Sequence, residues 1–133
     1  KAGTASIQGV LAYAQKPGGP GLWIMDTPGH DVESVTGMVA GGAQIVAFTT
    51  GRGTPAGCAI APVIKITGNS RTYHLMEENM DVNAGTIIDG QESINQVGCR
   101  IFDLILEVAR GKLTKSEKLG HREFAITRLG LTI

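Results

Sequence analysis

Apolar residues in this chain fall in short runs separated by glycine- and proline-rich punctuation. Ala5 to Gln15 alternates loosely and carries β-forming side chains, which predicts a strand. Leu22 to Met25 and Ile45 to Phe48 are continuous apolar runs of the length of a strand buried in a parallel sheet. Pro62 to Ile66 is a further strand, closed by Thr67-Gly68-Asn69, and Met80 to Gly85 reads as a strand end running into a turn. Helical spacing appears between these runs. Val32, Val35 and Val39 stand at i, i+3 and i+7, with Thr27 as N-cap, Pro28 as first helical residue, Asp31 and Glu33 near the positive helix end, and Gly41-Gly42 as the stop. Arg71 to Asn79 predicts a short helix with Leu75 and Met76 inward. Gln91 to Arg110 predicts the longest helix, its core stripe formed by Ile94, Val97, Ile101, Leu104, Ile105 and Val108, with Gly111 just past its end. Leu113 to Gly120 reads as a charged connection, and Phe124 to Ile126 leads to a last strand near Leu129 to Ile133.

Strands alternating with helices predict one α/β domain over residues 1–133, a three-layer Rossmann-like arrangement with a mainly parallel sheet. Leu22 to Phe48 forms strand, helix and strand, so its two strands are expected to run parallel, adjacent or one strand apart. Ligands of open parallel sheets bind at the carboxyl ends of the strands. Asp26-Thr27 and Thr49-Thr50-Gly51-Arg52 both follow such ends, which places the two polar clusters on one expected rim.

The second cluster carries the most chemistry. Thr49-Thr50-Gly51-Arg52-Gly53-Thr54-Pro55 breaks abruptly from the apolar run before it. Glycines let successive N–H groups converge into an anion-binding nest, and the planar fork of Arg52 suits a carboxylate or phosphate. A tight turn with a solvated arginine is the competing reading. The two threonines and the strand end favour an anion site.

Composition excludes several classes. The chain has 133 residues with 12 basic and 12 acidic side chains, so it carries no basic footprint for nucleic acid or an anionic membrane surface. No apolar run approaches a membrane span and no signal-peptide pattern appears, which fits a cytoplasmic protein. Cys58 and Cys99 lack ligand or redox spacing and read as small buried apolar residues in a reducing compartment. His30, His74 and His121 are far apart, so a metal site wholly inside the chain is not expected. Lys16-Pro17-Gly18-Gly19-Pro20-Gly21 lacks the lysine and hydroxyl of a phosphate loop. The Gly51-Arg52-Gly53-Thr54-Pro55-Ala56-Gly57 run misses dinucleotide spacing by one place. The start at Lys1 hints at a fragment of a larger protein.

Several motifs in order carry a resemblance. Met25-Asp26-Thr27-Pro28-Gly29, Glu33-Ser34-Val35-Thr36-Gly37, Ala40-Gly41-Gly42-Ala43-Gln44, Phe48-Thr49-Thr50-Gly51-Arg52-Gly53-Thr54-Pro55, Pro62-Val63-Ile64-Lys65, Asp81-Val82-Asn83-Ala84-Gly85 and Arg128-Leu129-Gly130-Leu131-Thr132 resemble the altronate/galactarate dehydratases, in their carboxy-terminal domain. The resemblance implies a carbon–oxygen lyase that eliminates water from a sugar acid to give a 2-keto-3-deoxy acid. It implies dependence on iron(II) or manganese, held mainly outside this domain. The remaining domains of the same enzyme and a homo-oligomer are the implied partners, and the domain alone is expected to be inactive. A related branch removes sulfite from sulfolactate. On this resemblance Asp26, Glu33 and Arg52 are the expected catalytic residues. Thr27, Thr49, Thr50, Gly51, Arg52, Gly53, Thr54 and Asn83 are expected to bind substrate. Asp81 joins Asp26, Glu33 and Asn83 as a rim group that orients hydroxyls or helps a metal, although each also suits a cap or turn.

Three functions stay open on the sequence: a dehydratase domain that needs the rest of its enzyme, a free-standing anion-binding module, and a structural domain for oligomer contacts.

Overall fold

The computed structural model describes residues 3–127. The strand expected near Leu129 to Ile133 lies outside the described residues. The fold is mixed α/β with short parallel sheets, in two compact units. One unit comprises the chain up to Gln44 together with the segment from Phe124; the other is Ile45–Glu123.

In the first unit, β1 (Ile7–Leu11) pairs in parallel with β2 (Leu22–Met25). The pairing continues one step past β2, where the Asp26 amide donates to the Leu11 carbonyl at 2.9 Å. Helix α1 spans Asp31–Ala40, with Asp31 and Glu33 in its first turn as the positive helix end favours. Its N-cap is His30, not Thr27. The Thr27 hydroxyl bonds the Ser34 hydroxyl at 3.1 Å, so it caps no helical amide and the helix starts later than expected. Gly41 ends α1 and Gly42 turns the chain at φ +109°.

In the second unit, β3 (Val46–Thr50), β4 (Val63–Thr67) and β5 (Val82–Asn83) form a parallel sheet in that order. Every residue of β4 is buried, whereas β3, at the edge, shows Ala47 and Thr49 to solvent. Ile64, Ile66 and Val82 form a core with Val108 of α3 (Ile94–Ala109), against which Ile101, Leu104 and Ile105 pack. A capping box of Ser93 and Gln96 starts α3, and Gly111 follows its end at φ +99°. Helix α2 (Ser70–Leu75) is capped by the Asn69 side chain and packs near β4 and β5. The expected charged connection contains a further short helix, α4 (Lys115–Lys118), set by a capping box of Thr114 and Glu117.

The pairing corrects the shared rim. β2 and β3 lie in different sheets, each hydrogen-bonded to other strands, so the expected strand–helix–strand pairing of Leu22 to Phe48 is not formed. Three packing expectations also change. Leu75 is 75 % exposed, because α2 ends at it and turns its other side to the sheet. Ile94 is exposed at the first turn of α3, ahead of the part of the helix that reaches the core. Cys99 is exposed and Cys58 half-buried, so neither is a core residue. Among the described residues, no helix is long and apolar enough to cross a membrane.

Candidate functional site

The carboxyl ends of the three-stranded sheet meet in one row. Register pairs Thr50 with Thr67, and Thr67 with Asn83. Thr67 is buried and exchanges hydrogen bonds with the backbone of Asn69, so it shapes the turn into α2. The Asn83 side chain accepts from the Gly85 amide at 2.9 Å and donates to the Ser70 hydroxyl at 3.1 Å. Ser70 also bonds Asp89, and Arg100 donates to the Asn83 carbonyl at 2.7 Å while pairing with Glu92 at 2.9 Å. This crowding explains Gly85, where a Cβ would land on the Ser70 backbone nitrogen.

The Arg52 loop rises from this row at the end of β3. The Gly53 amide donates to the Thr50 hydroxyl at 3.0 Å, so one N–H of the expected nest is bonded within the loop. Gly53 takes φ +81°, a conformation that strains any L side chain, and packs against Met76 and Thr72. Thr72 of α2 donates its hydroxyl to the Gly51 carbonyl at 2.9 Å. Past Arg52, Thr54 is buried and its hydroxyl accepts from the Ala56 amide at 3.3 Å. The Gly57 amide donates to the Glu123 carboxylate at 2.9 Å. That bond, the largest cause, holds the Glu123 carboxyl below its ordinary range, and His121 at 3.1 Å adds to it. The loop is thus tied down on both sides of Arg52. Its guanidinium is exposed and joins no ion pair among the described residues. Thr49 and Gly51 are exposed beside it.

The other expected residues are placed differently. Asp26 is exposed at the end of β2, in the first unit. Glu33 lies in α1 of that unit, where its backbone carbonyl accepts from the Tyr13 hydroxyl at 2.7 Å. Burial, and then the Glu33 charge, push the Tyr13 hydroxyl above its ordinary range. Thr50, Thr67, Asn83 and Arg52 are therefore gathered by one sheet, while Asp26, Thr27 and Glu33 belong to the other unit.

Asp81 is a correction. It precedes β5, away from the carboxyl ends, and its two oxygens accept the Lys65 and Lys115 backbone amides at 2.8 and 2.9 Å. Both oxygens are engaged by backbone amides, the turn role that the sequence also allowed for it. Among the described residues, no three His, Cys, Asp or Glu side chains gather as a metal site requires. The donors of the described residues do not by themselves gather into the set a divalent ion takes.

Sequence reasoning missed Lys65. It sits in the middle of Val63–Thr67 with 0 % exposure, and its ammonium donates to the Pro55 carbonyl at 2.9 Å. The signal was present as one cation inside the run Val-Ile-Lys-Ile.

Comparison with known proteins adds the family. Residues 1–132 match the model of the D-galactarate/altronate dehydratase carboxy-terminal domain. The chain is 41 % identical over 128 residues to galactarate dehydratase (L-threo-forming) of Escherichia coli, covering 95 % of the chain and 24 % of that protein. It is 40 % identical over 123 residues to (2R)-sulfolactate sulfo-lyase subunit beta of Chromohalobacter salexigens, covering 92 % and 32 %. To altronate dehydratase of Bacillus subtilis it is 35 % identical over 133 residues, covering 100 % and 27 %. The chain spans about a quarter to a third of the length of these relatives.

Proposed function

Because the chain belongs to the D-galactarate/altronate dehydratase family, as its carboxy-terminal domain, we propose that it holds the carboxylate of a sugar acid while the complete enzyme eliminates water. The observation that carries this reading is Arg52, an exposed cation on a loop fixed at both ends. Loss of a 3-hydroxyl from a sugar acid requires removal of the proton α to the carboxylate. The electron pair left behind moves onto the carboxylate as an aci-carboxylate, before it expels the hydroxide and leaves an enol that becomes the 2-keto-3-deoxy acid. A guanidinium fork on that carboxylate stabilises the added charge more than it stabilises the substrate. For Asp26 and Glu33, which belong to the other unit, a catalytic role in the complete enzyme is proposed on the family resemblance alone. The metal, iron(II) or manganese, would supply Lewis acidity to the leaving hydroxide. We assign it mainly to the rest of the enzyme, since the donors described here do not gather around one ion.

A second reading has its own support. The relative from Chromohalobacter salexigens, a sulfo-lyase subunit, is as similar as the galactarate dehydratase. Loss of sulfite from sulfolactate begins with the same proton abstraction beside a carboxylate, so the Arg52 loop serves either leaving group.

Steady-state kinetics of Arg52→Lys in a complete enzyme that carries this chain test the reading. Lysine keeps the charge but not the planar fork. Both kcat and kcat/KM are expected to fall about 30- to 1000-fold with an unchanged circular dichroism spectrum, as removal of one preorganised donor does. Values within about twofold of wild type are what a solvated surface arginine gives, and they would remove the anion site.

A further inference from the structure

We propose that Lys65 is a positioning residue for the Arg52 loop: from the buried centre of the sheet its ammonium holds the Pro55 carbonyl and so fixes where the guanidinium is presented. The proposal rests on the anion-site reading of Arg52. Pro55 stands three residues beyond Arg52, in the stretch where the chain returns from the rim toward β4. On the near side of Arg52 the loop is fixed through Thr50 and Thr72. On the far side, Lys65 and Glu123 hydrogen-bond to the loop from outside it, at Pro55 and Gly57. Lys65 is the deeper of the two, with no exposed surface.

A lysine is a poor choice for stability at this point. Its neighbours along β4 are Ile64 and Ile66, and a chain of similar length without charge would fill the same space. Desolvation lowers the affinity of the ammonium for its proton, and the charges of Asp81 and Glu123 offset this only in part. Replacing a whole buried charge pair by apolar residues is often neutral, whereas removing one partner alone leaves the other uncompensated. What an apolar residue cannot do is donate to the Pro55 carbonyl. Through that bond the ammonium contributes position to the loop.

A double-mutant cycle with Lys65→Met and Arg52→Lys, in a complete enzyme carrying this chain, tests the proposal. Methionine keeps the length and removes both charge and donor. Lys65→Met is expected to keep the wild-type circular dichroism spectrum, with a thermal midpoint lowered by no more than the loss of one buried donor gives. It should lower kcat by about 10- to 100-fold, the range that misplacing a reacting group produces. KM should change by less than about threefold. Once Arg52 is lysine, adding Lys65→Met should lower kcat by no more than about twofold, because both act through one guanidinium. A destabilised Lys65→Met enzyme with normal kcat would make Lys65 a structural cation and overturn the proposal. Two losses that simply multiply would overturn it as well. If Arg52→Lys alone has no effect, the anion-site reading fails; if Arg52→Lys is impaired and Lys65→Met is normal, only the positioning role fails. Should Lys65→Met not fold, Lys65→Gln, polar but one atom shorter than the reach to the Pro55 carbonyl, takes its place in the cycle under the same two criteria.

Discussion

The hydroxyl of Thr72 donates to the carbonyl of Gly51 at 2.9 Å, which joins helix α2 to the residue immediately before Arg52. Helix and loop are thereby one mechanical piece. The hydroxyl costs little to place, because α2 is already capped at Asn69 and packed beside the sheet.

Thr72→Val keeps the shape of the side chain and deletes that donor. A net hydrogen bond is worth about 0.5–1.5 kcal/mol, so kcat/KM of a complete enzyme carrying this chain should fall about 2- to 12-fold. An unchanged kcat/KM would mean that the loop holds its shape without α2.

Two glycines should respond in opposite directions. Gly85→Ala drives a methyl group into the Ser70 backbone and should destabilise the chain by about 1–3 kcal/mol in urea unfolding. Gly98, in α3, has open space around it and should gain about 0.5–1 kcal/mol on substitution by alanine. Equal responses would show that the close approach at Gly85 is absent.

Stability should fall in acid partly through Glu123. Its carboxyl is held below its ordinary value near 4.5, chiefly by the Gly57 amide, so the folded chain binds this proton less readily than the unfolded chain does. The contribution is complete above pH 4.5 and is lost as pH falls through the lower folded value. Glu123→Gln should flatten that part of the profile when urea unfolding is repeated from pH 6 downward in steps of about one unit. Parallel profiles for the two chains would assign the acid sensitivity elsewhere.

The isolated chain should fold yet fail to dehydrate galactarate or altronate with iron(II) or manganese supplied. The described residues bring together an arginine loop but no metal cluster. Turnover comparable with a complete family enzyme, measured by appearance of the keto acid, would place the whole of the chemistry in this chain.

Local features of the fold were legible in the sequence. β2 and β3 follow uninterrupted apolar runs, β4 follows one broken only by Lys65, and α1 and α3 follow 3.6-residue stripes, because these signals are local. Strand partners are not local, and nothing in Leu22–Met25 says that it pairs with Ile7–Leu11 and not with Val46–Thr50. Helix α4 was signalled by Thr114 and Glu117, a capping-box spacing overshadowed by the charges around it. At the site, the Arg52 loop announced itself through its glycines and threonines. Its supports did not, since Thr72, Glu123 and Lys65 are distant in sequence and of types that usually face water.

The Gly57–Glu123 bond also bears on the order in which the unit is completed. Its partners are separated by 66 positions, so a chain emerging amino-terminus first exposes the arginine loop long before Glu123 exists. Until then the Gly57 amide must be served by water. The loop that carries Arg52 is among the earlier parts of the unit to be synthesised, and it reaches its final set of bonds only when synthesis has passed the unit's last residue.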